Sequence, residues 1–522
     1  MKRFLSTTCS VFCVFWLSIS SSMGQATLEA RCGGLAQTDF SRITDAATHI
    51  NRTSVVASGG TLPAFCKVEG YVFPSVGIEI RLPLGNWNGK FFETGCGGYC
   101  GGIFAASCDE PLRRGYACIA SDMGHKSTAL DAKWAYNDLQ AEIDFGFRST
   151  HVVAVAGKVI TEEFYGVPPS RAYLSGCSTG GRQGMVEAQL FPHDFDGIIA
   201  GAPVINETGA GLQLIWTIAA NLDEDGGQIL PASKVPFIHK TVVARCDKDD
   251  GLEDGIIDDP RNCRFDPAEL QCGFLGGDDC LSKAQVEVVR KIYSGPHTSA
   301  GEKLYTGGAL PGSELTWIDA YISRDGKPSV YNHFISDLFR YMGFMPDPGP
   351  NWSAKDFDFD EDYKRLGLME AIYTGSNPDL RRFRDSGGKA LIYHGWNDQS
   401  VVPLNTIDYY ELTTQTMGGL ESTQDFFRLF MIPGMEHCVG GPGTDAIDYI
   451  TAMENWVENG EPPELMIGAH LKTQKSLGQD YLFPLAKGDI EFTRPIYPYP
   501  AVARYRGEGE VNDARNWQRK DP

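Results

Sequence analysis

Gly-Cys-Ser-Thr-Gly at residues 176–180 is the stretch that decides the fold. It fits the Gly-x-Ser-x-Gly nucleophile elbow, in which a sharp turn from strand to helix lifts a serine hydroxyl above a parallel sheet. The flanks agree, since residues 171–174 are strand-like and residues 181–188 have a helical pattern that begins with small residues. A side chain in place of the glycines would block the close approach of strand and helix. The stretch predicts an α/β fold with Ser178 as nucleophile; an ordinary Gly-rich turn is the alternative.

An acid and then a histidine are expected after later strands of the same sheet. Asp398 follows the strand-like residues 390–395, in the kind of loop where α/β enzymes keep their chemistry. His437 follows the next such run, residues 428–432. A histidine can take the serine proton near neutral pH, and a carboxylate holds the imidazole in the right tautomer. The order Ser178, Asp398, His437 is that of the α/β hydrolases.

Cysteines adjoin both ends of this predicted triad. Cys177 precedes the serine and Cys438 follows the histidine. If the hydroxyl and the imidazole meet, their neighbours are close enough for a disulfide that closes a loop of about 260 residues. Such a bond would tie the two catalytic loops together. Two unrelated buried cysteines are the alternative.

The N-terminus predicts export. Lys2 and Arg3 precede an apolar run at residues 11–17 and small residues at 20–24, which together predict a signal peptide over residues 1–24. The apolar run is too short to span a bilayer. We therefore expect a secreted, extracellular protein. The net charge of −21 argues against nucleic acid or an anionic membrane as partner.

The cysteine count agrees with export. Of fourteen cysteines, Cys9 and Cys13 leave with the signal, and the remaining even number predicts up to six disulfides. Three Asn-x-Ser/Thr triplets, at Asn51, Asn206 and Asn351, are candidate glycosylation sites.

The chain resembles the tannase and feruloyl esterase family. The resemblance lies in the triad with its flanking cysteines and in three further runs: Asn-Trp-Asn-Gly-Lys-Phe-Phe at 86–92, Phe-Tyr-Gly at 164–166 and Phe-Asp-Gly-Ile-Ile-Ala-Gly-Ala-Pro at 195–203. It covers most of the chain. That family is also similar to the bacterial hydrolase of mono(2-hydroxyethyl) terephthalate.

The length of 522 residues predicts more than one simple core. Strand–turn–helix alternation typical of a doubly wound sheet predicts an α/β-hydrolase catalytic domain over residues 25–205 and 386–522. Residues 206–385, rich in Gly, Asp, Pro and aromatics, lie between nucleophile and acid and are expected to form a lid. Seven lid residues are candidates for an aromatic pocket, with the core of the lid as the alternative position: Trp317, Tyr321, Phe344, Met345, Trp352, Phe357 and Phe359. The last eight residues are expected to be a frayed tail.

Gly-Cys-Gly-Gly at residues 95–98 matches the Gly-rich oxyanion loop of hydrolases in its position after a strand. The resemblance implies that the amides of Gly98 and Thr179 are the donors. Cys96 stands where the family usually has glycine. With Cys100, Cys108 and Cys118 nearby it suggests extra local disulfides, whose pairing stays open.

Residues 246–258 carry carboxylates at short, turn-forming spacing, which suits Ca²⁺; an acidic surface turn is the alternative. The resemblance implies a structural calcium ion held by the side chains of Asp247, Asp250 and Asp254 and the carbonyls of Leu252 and Ile256. It also implies the disulfides Cys246–Cys263, Cys272–Cys280 and Cys32–Cys66.

The resemblance implies a carboxylic ester hydrolase that acts through an acyl-enzyme on aromatic-acid esters, either small or attached to plant cell-wall polysaccharide. Hydroxycinnamate esters are favoured, galloyl esters come second and a terephthalate monoester third. Two other classes stay open: an inactive binding protein for polyphenols or carbohydrate, and a metal-dependent hydrolase.

Overall fold

The computed structural model describes residues 28–273, 277, 279–324, 328–476, 479 and 481–522. The signal predicted over residues 1–24 lies outside them. Across these ranges no helix has the length and apolar character needed to cross a membrane.

A nine-stranded sheet forms the centre of the molecule. Its strands are β1 (Thr48–Val56), β2 (Phe65–Val72), β3 (Val76–Pro83), β4 (Lys90–Thr94), β5 (Ala117–Ser121), β6 (Arg171–Cys177), β7 (Gly197–Gly201), β8 (Lys389–Gly395) and β9 (Phe427–Ile432). The spatial order is β1-β2-β3-β5-β4-β6-β7-β8-β9. The pairs from β1 to β5 in this order are antiparallel, and those from β5 to β9 are parallel.

The parallel half is covered by helices, which explains its composition. β5 and β7 are buried at every position, and strands covered on both faces are expected to be apolar or small throughout. Besides the helical residues 28–35, four helices precede the insertion: α1 (Asp109–Arg113), α2 (Leu139–Ile143), α3 (Ser149–Tyr165) and α4 (Thr179–Leu190). The predicted α/β-hydrolase fold is confirmed, with an antiparallel extension of the sheet that the sequence did not predict.

The chain leaves the sheet after β7 and returns at β8, although these two strands are paired neighbours. The segment between them contains α5 (Glu207–Ala220), α6 (Val235–Cys246), α7 (Lys283–Ser294), α8 (Val330–Tyr341), α9 (Gly367–Tyr373) and α10 (Arg381–Asp385). Helices α5 to α9 share an apolar core with side chains of the catalytic half, including Tyr99 and Phe145. The insertion is therefore packed onto the catalytic half by a continuous hydrophobic interface.

The C-terminal part completes the fold after β8. It contains α11 (Pro403–Thr416), α12 (Leu420–Gln424), α13 (Tyr449–Asn459), β10 (Met466–Leu471), β11 (Ile490–Ile496), β12 (Val502–Tyr505) and β13 (Trp517–Lys520). The expectation of a frayed tail is wrong, because β13 pairs with β12. Trp517 anchors this hairpin: it is buried, and its indole N–H donates to the carbonyl of Val511 at 2.9 Å.

Candidate active site

Ser178 stands at the turn between β6 and α4 with φ 63° and ψ −121°. A non-glycine residue with positive φ is strained, and strain of this kind is characteristic of the nucleophile elbow. The flanking glycines permit the turn: a Cβ on Gly176 would lie 2.7 Å from the Cα of Gly180. The backbone N–H of Ser178 donates to the carbonyl of Gly201 at 2.9 Å, which fixes the elbow on β7.

The structure brings Asp398 and His437 together beside the elbow. Asp398 Oδ2 accepts a hydrogen bond from His437 Nδ1 at 2.7 Å, and Asp398 is fully buried. Its other oxygen accepts the backbone N–H groups of Ser400 and Val401 at 2.7 and 2.9 Å. Burial alone would raise the pKa of Asp398, but the contacts with His437 and His394 together outweigh it and hold the pKa well below its ordinary value. The carboxylate therefore stays ionised and orients the imidazole.

His394, which the sequence did not single out, also supports Asp398. It is fully buried, and its Nε2 lies 3.0 Å from the carbonyl of Val401 and 3.2 Å from Asp398 Oδ2. Since a carbonyl can only accept, Nε2 carries the proton, and Nδ1 is left to accept the hydroxyl of Thr406 at 2.9 Å. The position of His394 at the end of β8, four residues before the acid, is the signal that would have found it.

A disulfide joins Cys177 to Cys438, with Cα atoms 6.0 Å apart and 261 residues between them in sequence. The residues next to the nucleophile and the base are thus covalently linked. The described chain contains six disulfides. They are Cys177–Cys438, Cys32–Cys66, Cys246–Cys263, Cys272–Cys280, Cys96–Cys100 and Cys108–Cys118. The four expected pairs are present, and the last two resolve the pairing that the sequence left open.

The loop of residues 95–98 lies beside the elbow. Thr179 Oγ1 donates to the carbonyl of Gly98 at 2.7 Å, so the two predicted oxyanion residues are held together. The Cys96–Cys100 disulfide closes a ring across this loop. Gly98 has φ 56°, and a Cβ on it would lie 2.2 Å from the carbonyl oxygen of Ala129. The loop shape therefore depends on glycine at position 98.

Gly98→Ala tests this loop. We expect kcat to fall about 10²- to 10³-fold, the range for loss of one oxyanion donor, because the new methyl group displaces the loop from Ala129. KM is expected to change much less. Gly97→Ala is the matched control, since its Cβ would meet nothing within 4 Å. Equal losses in the two variants would show that the loss does not come from the Gly98–Ala129 contact.

Ser178 and His437 line a cavity of about 520 Å³, a volume typical of small-molecule sites. The lid supplies an apolar wall from α5 and α8: Ala210, Leu214, Tyr331, Phe334, Ile335 and Leu338. Phe334 stacks on Tyr99 with ring centroids 4.2 Å apart, which makes part of this wall aromatic. The cavity thus combines Ser178 and His437 with an apolar, partly aromatic wall.

None of the seven candidate residues borders this cavity, and the alternative of a core position applies to six of them. Trp317, Tyr321, Phe344 and Phe357 are buried in the apolar core that the insertion shares with the catalytic half, and Trp352 and Phe359 pack against this core. Met345 is exposed. The large aromatic side chains among them pack in the core, whereas the pocket is lined by residues on α8.

The acidic loop forms a turn from Asp247 to Gly255 beside the Cys246–Cys263 disulfide. Burial, and then the nearby carboxylate of Asp254, raise the pKa of Asp247 and also that of Asp250. A hard divalent cation would offset the repulsion between these crowded, partly buried carboxylates, and Ca²⁺ prefers oxygen ligands of this kind. The residues therefore fit Ca²⁺. As a set, the three carboxylates do not come within 4.8 Å of one another, so an ion would have to draw them together.

The candidate glycosylation sites differ in exposure. Asn51 and Asn351 are exposed. Asn206 is half-buried, and its side-chain oxygen caps α5 by accepting the N–H of Gly209 at 2.7 Å. The first two are therefore the accessible acceptors.

Comparison with known proteins agrees with this geometry. A sequence profile of the family "Tannase and feruloyl esterase" matches residues 58–520. Mono(2-hydroxyethyl) terephthalate hydrolase of Piscinibacter sakaiensis is 33% identical, with 93% of this chain and 89% of that protein covered. "Probable feruloyl esterase B-2" of Aspergillus flavus is 35% identical over 77% of this chain and 79% of that protein. The structure of feruloyl esterase B from Aspergillus oryzae superposes with a TM-score of 0.82 at 27% identity, covering 94% of this chain and 100% of that one.

Proposed function

Because the chain belongs to the tannase and feruloyl esterase family and is a carboxylic ester hydrolase, we propose that it cleaves hydroxycinnamate esters through an acyl-enzyme on Ser178. The observation that carries the proposal is the cavity: its base holds Ser178 and His437, and its lid wall is apolar and aromatic. A hydroxycinnamoyl group is flat, apolar along its length and polar only at the ring substituents. A galloyl group carries three ring hydroxyls that need hydrogen-bond partners, and an apolar wall offers few of them.

The proposed reaction is supported by the contact between Asp398 and His437 and by the place of Ser178 in the same cavity as His437. His437, oriented by Asp398, takes the proton of Ser178 as its oxygen attacks the ester carbonyl. The amides of Gly98 and Thr179 stabilise the negative charge that develops on the carbonyl oxygen. His437 then gives its proton to the departing alcohol. A water molecule then gives a proton to His437 as it attacks the acyl carbon, and the acid leaves when His437 returns that proton to the oxygen of Ser178.

A terephthalate monoester is disfavoured by the charges around the cavity. Its distal carboxylate needs a cation, and among the described lining residues the one Lys or Arg is Arg114. That guanidinium already pairs with Glu110 at 2.7 Å and Asp448 at 2.8 Å. The acidic group on the lid side, Glu207, is buried against Arg182 at 3.5 Å, and it supplies no positive charge. A second carboxylate is therefore expected to bind poorly.

A kinetic panel tests this ranking. We expect kcat/KM for methyl ferulate and methyl caffeate to exceed that for mono(2-hydroxyethyl) terephthalate by at least about 10²-fold, the cost of roughly 3 kcal/mol for an unpaired charge. Methyl gallate should fall between them. Each ester is assayed with the same enzyme preparation across a range of concentrations. A preference for gallate or for the terephthalate ester would overturn the assignment.

We further propose that the loop around Asp247, Asp250 and Asp254 holds a structural Ca²⁺, with the carbonyls of Leu252 and Ile256 as additional ligands. The proposal is supported by the crowding of carboxylates in one short turn, where burial and the charge of Asp254 raise the pKa of Asp247 and that of Asp250. The loop belongs to the insertion between β7 and β8, and none of its three carboxylates borders the catalytic cavity. The ion would stabilise the lid.

Chelation separates a structural from a catalytic role for calcium. We expect excess EGTA to lower Tm measurably, while initial rates at 25 °C stay within about twofold, because no step of the reaction uses the ion. Restoring Ca²⁺ should restore Tm. Asp254→Asn should abolish the response to calcium. Loss of turnover at unchanged Tm would instead place the metal in the chemistry.

Secretion is also proposed. It is supported by the sequence of residues 1–24 and by six disulfides, which persist in oxidising compartments. Aromatic esters of plant cell walls are substrates that an extracellular enzyme meets. N-terminal sequencing of the protein from the culture medium tests the cleavage after Gly24.

A further inference from the structure

A second cluster of ionisable side chains lies outside the catalytic cavity. His151 stands in the first turn of α3, Glu187 near the end of α4, and Asp194 in the loop between α4 and β7. One ligand atom from each of the three lies within 4.8 Å of the other two, and no other such group of three exists in the part of the chain described. His151 Nδ1 and Asp194 Oδ2 are 2.5 Å apart. The three elements thus bring one imidazole and two carboxylates to one point.

Glu187 is the member whose environment requires explanation. Its side chain is 1% exposed, and neither oxygen accepts a hydrogen bond from a donor in the described part of the chain; its close neighbour is the carboxyl of Asp194. Burial, followed by the charge of Asp194, raises the pKa of Glu187 well above its ordinary value. A buried carboxyl whose close partner is another acidic group is costly. Glu187 lies close enough to His151 and Asp194 for all three side chains to bind one shared ion.

Charge balance around the cluster favours a divalent cation. Glu93 on β4 is 3% exposed, with an unpartnered Oε2, and its pKa is raised first by burial and then by Asp194. The positive charge of Lys158 lowers the pKa values of Glu93 and Glu187. Its ammonium group donates a hydrogen bond to the backbone carbonyl of Asp194. The cluster therefore holds three acidic side chains and one ammonium, and a divalent cation is the kind of ligand that such a surplus of carboxyl groups can bind.

We propose that His151, Glu187 and Asp194 form a binding site for a divalent transition-metal ion, with Zn²⁺ as the representative metal. Imidazole nitrogen together with carboxylate oxygens is a ligand set that Zn²⁺ accepts, whereas Ca²⁺ prefers oxygen alone. The ion replaces the proton between His151 and Asp194, so binding releases a proton. The site is distinct from the acidic loop of the lid.

The role of such an ion is structural. It links α3, α4 and the loop that leads into β7, and α4 begins directly after Ser178. Binding to the folded state stabilises it without contact with the reacting atoms. We therefore expect Zn²⁺ to change Tm and to leave the ester hydrolysis rate of the folded enzyme within about twofold.

The test uses untagged, full-length protein, stripped with chelator and reloaded with Ca²⁺ in every arm. Zn²⁺ is added, excess metal is removed by gel filtration, and bound zinc is measured by elemental analysis alongside Tm. We expect one equivalent per chain and a higher Tm in the wild type. His151→Gln and Glu187→Gln should lose both effects. His49→Gln, an exposed histidine on β1, is the matched control and should keep them.

If Glu187→Gln fails to fold, His151→Gln carries the test, because His151 is partly exposed in the first turn of a helix. The inference is overturned if the wild type retains no zinc, or if His151→Gln retains as much zinc and the same Tm shift. In that event Glu187 is a protonated carboxyl paired with Asp194. Neither result bears on the esterase proposal, which is tested separately by the kinetic panel.

Discussion

Replacing Ser178 by alanine is expected to reduce kcat by roughly 10⁴- to 10⁶-fold, the range found when a triad nucleophile is removed. The loss arises because the acyl-enzyme has no oxygen on which to form. Binding should persist, since the apolar wall of the cavity is untouched. Initial rates with methyl ferulate, together with equilibrium binding of ferulate, measure the two quantities.

The strained backbone at this position supplies a sharper control. Ser178 has φ 63°, which glycine adopts at no steric cost and alanine does not. Ser178→Gly should therefore be as inactive as Ser178→Ala but more stable, by about 1 kcal/mol. Turnover above about 1% of wild type in either variant would contradict the assignment of the nucleophile.

The second large effect is expected on removing the Cys177–Cys438 disulfide by Cys→Ala at both positions. This bond spans 261 residues, and the loss of so long a cross-link should lower the free energy of unfolding by about 4–5 kcal/mol. It should also lower kcat by about 10²-fold or more, because a shift of about 1 Å between nucleophile and base is enough for that loss. Denaturant titration and initial rates give the two values.

The Cys272–Cys280 pair is the matched control. It closes a loop of only 8 residues in the lid, so its removal should cost about 2–3 kcal/mol and leave kcat near wild type. If both double variants lose activity in proportion to their stability, the catalytic disulfide has no special role in positioning. If Cys177→Ala/Cys438→Ala keeps full kcat, the link is dispensable for alignment.

The parts of the site that depend on local chain geometry were predictable from sequence. The elbow at Ser178 needs small neighbours and a strand–helix turn, and Asp398 and His437 each follow a recognisable strand. The disulfide between Cys177 and Cys438 then follows from the proximity of the residues beside them. These features are set by spacing along the chain, so the sequence carries them directly.

The features that depend on packing between distant elements were not predictable. The pocket wall uses Tyr331 and Phe334 on α8, and nothing in their spacing distinguishes them from Trp317, which is buried in the lid core. His394 acts through Asp398, a contact that exists only when β8 and the following loop are folded. The C-terminal β13 is polar along most of its length and owes its order to pairing with β12.

The most direct test of the account is covalent labelling with a serine-directed phosphonate ester, followed by peptide mass spectrometry. We predict one adduct per chain, on Ser178, formed at a rate that matches the loss of ferulate ester hydrolysis. The linked peptide should also contain the Cys177–Cys438 bridge when digestion is done without reductant. An adduct on another serine, or full inhibition with Ser178 unmodified, would contradict the mechanism.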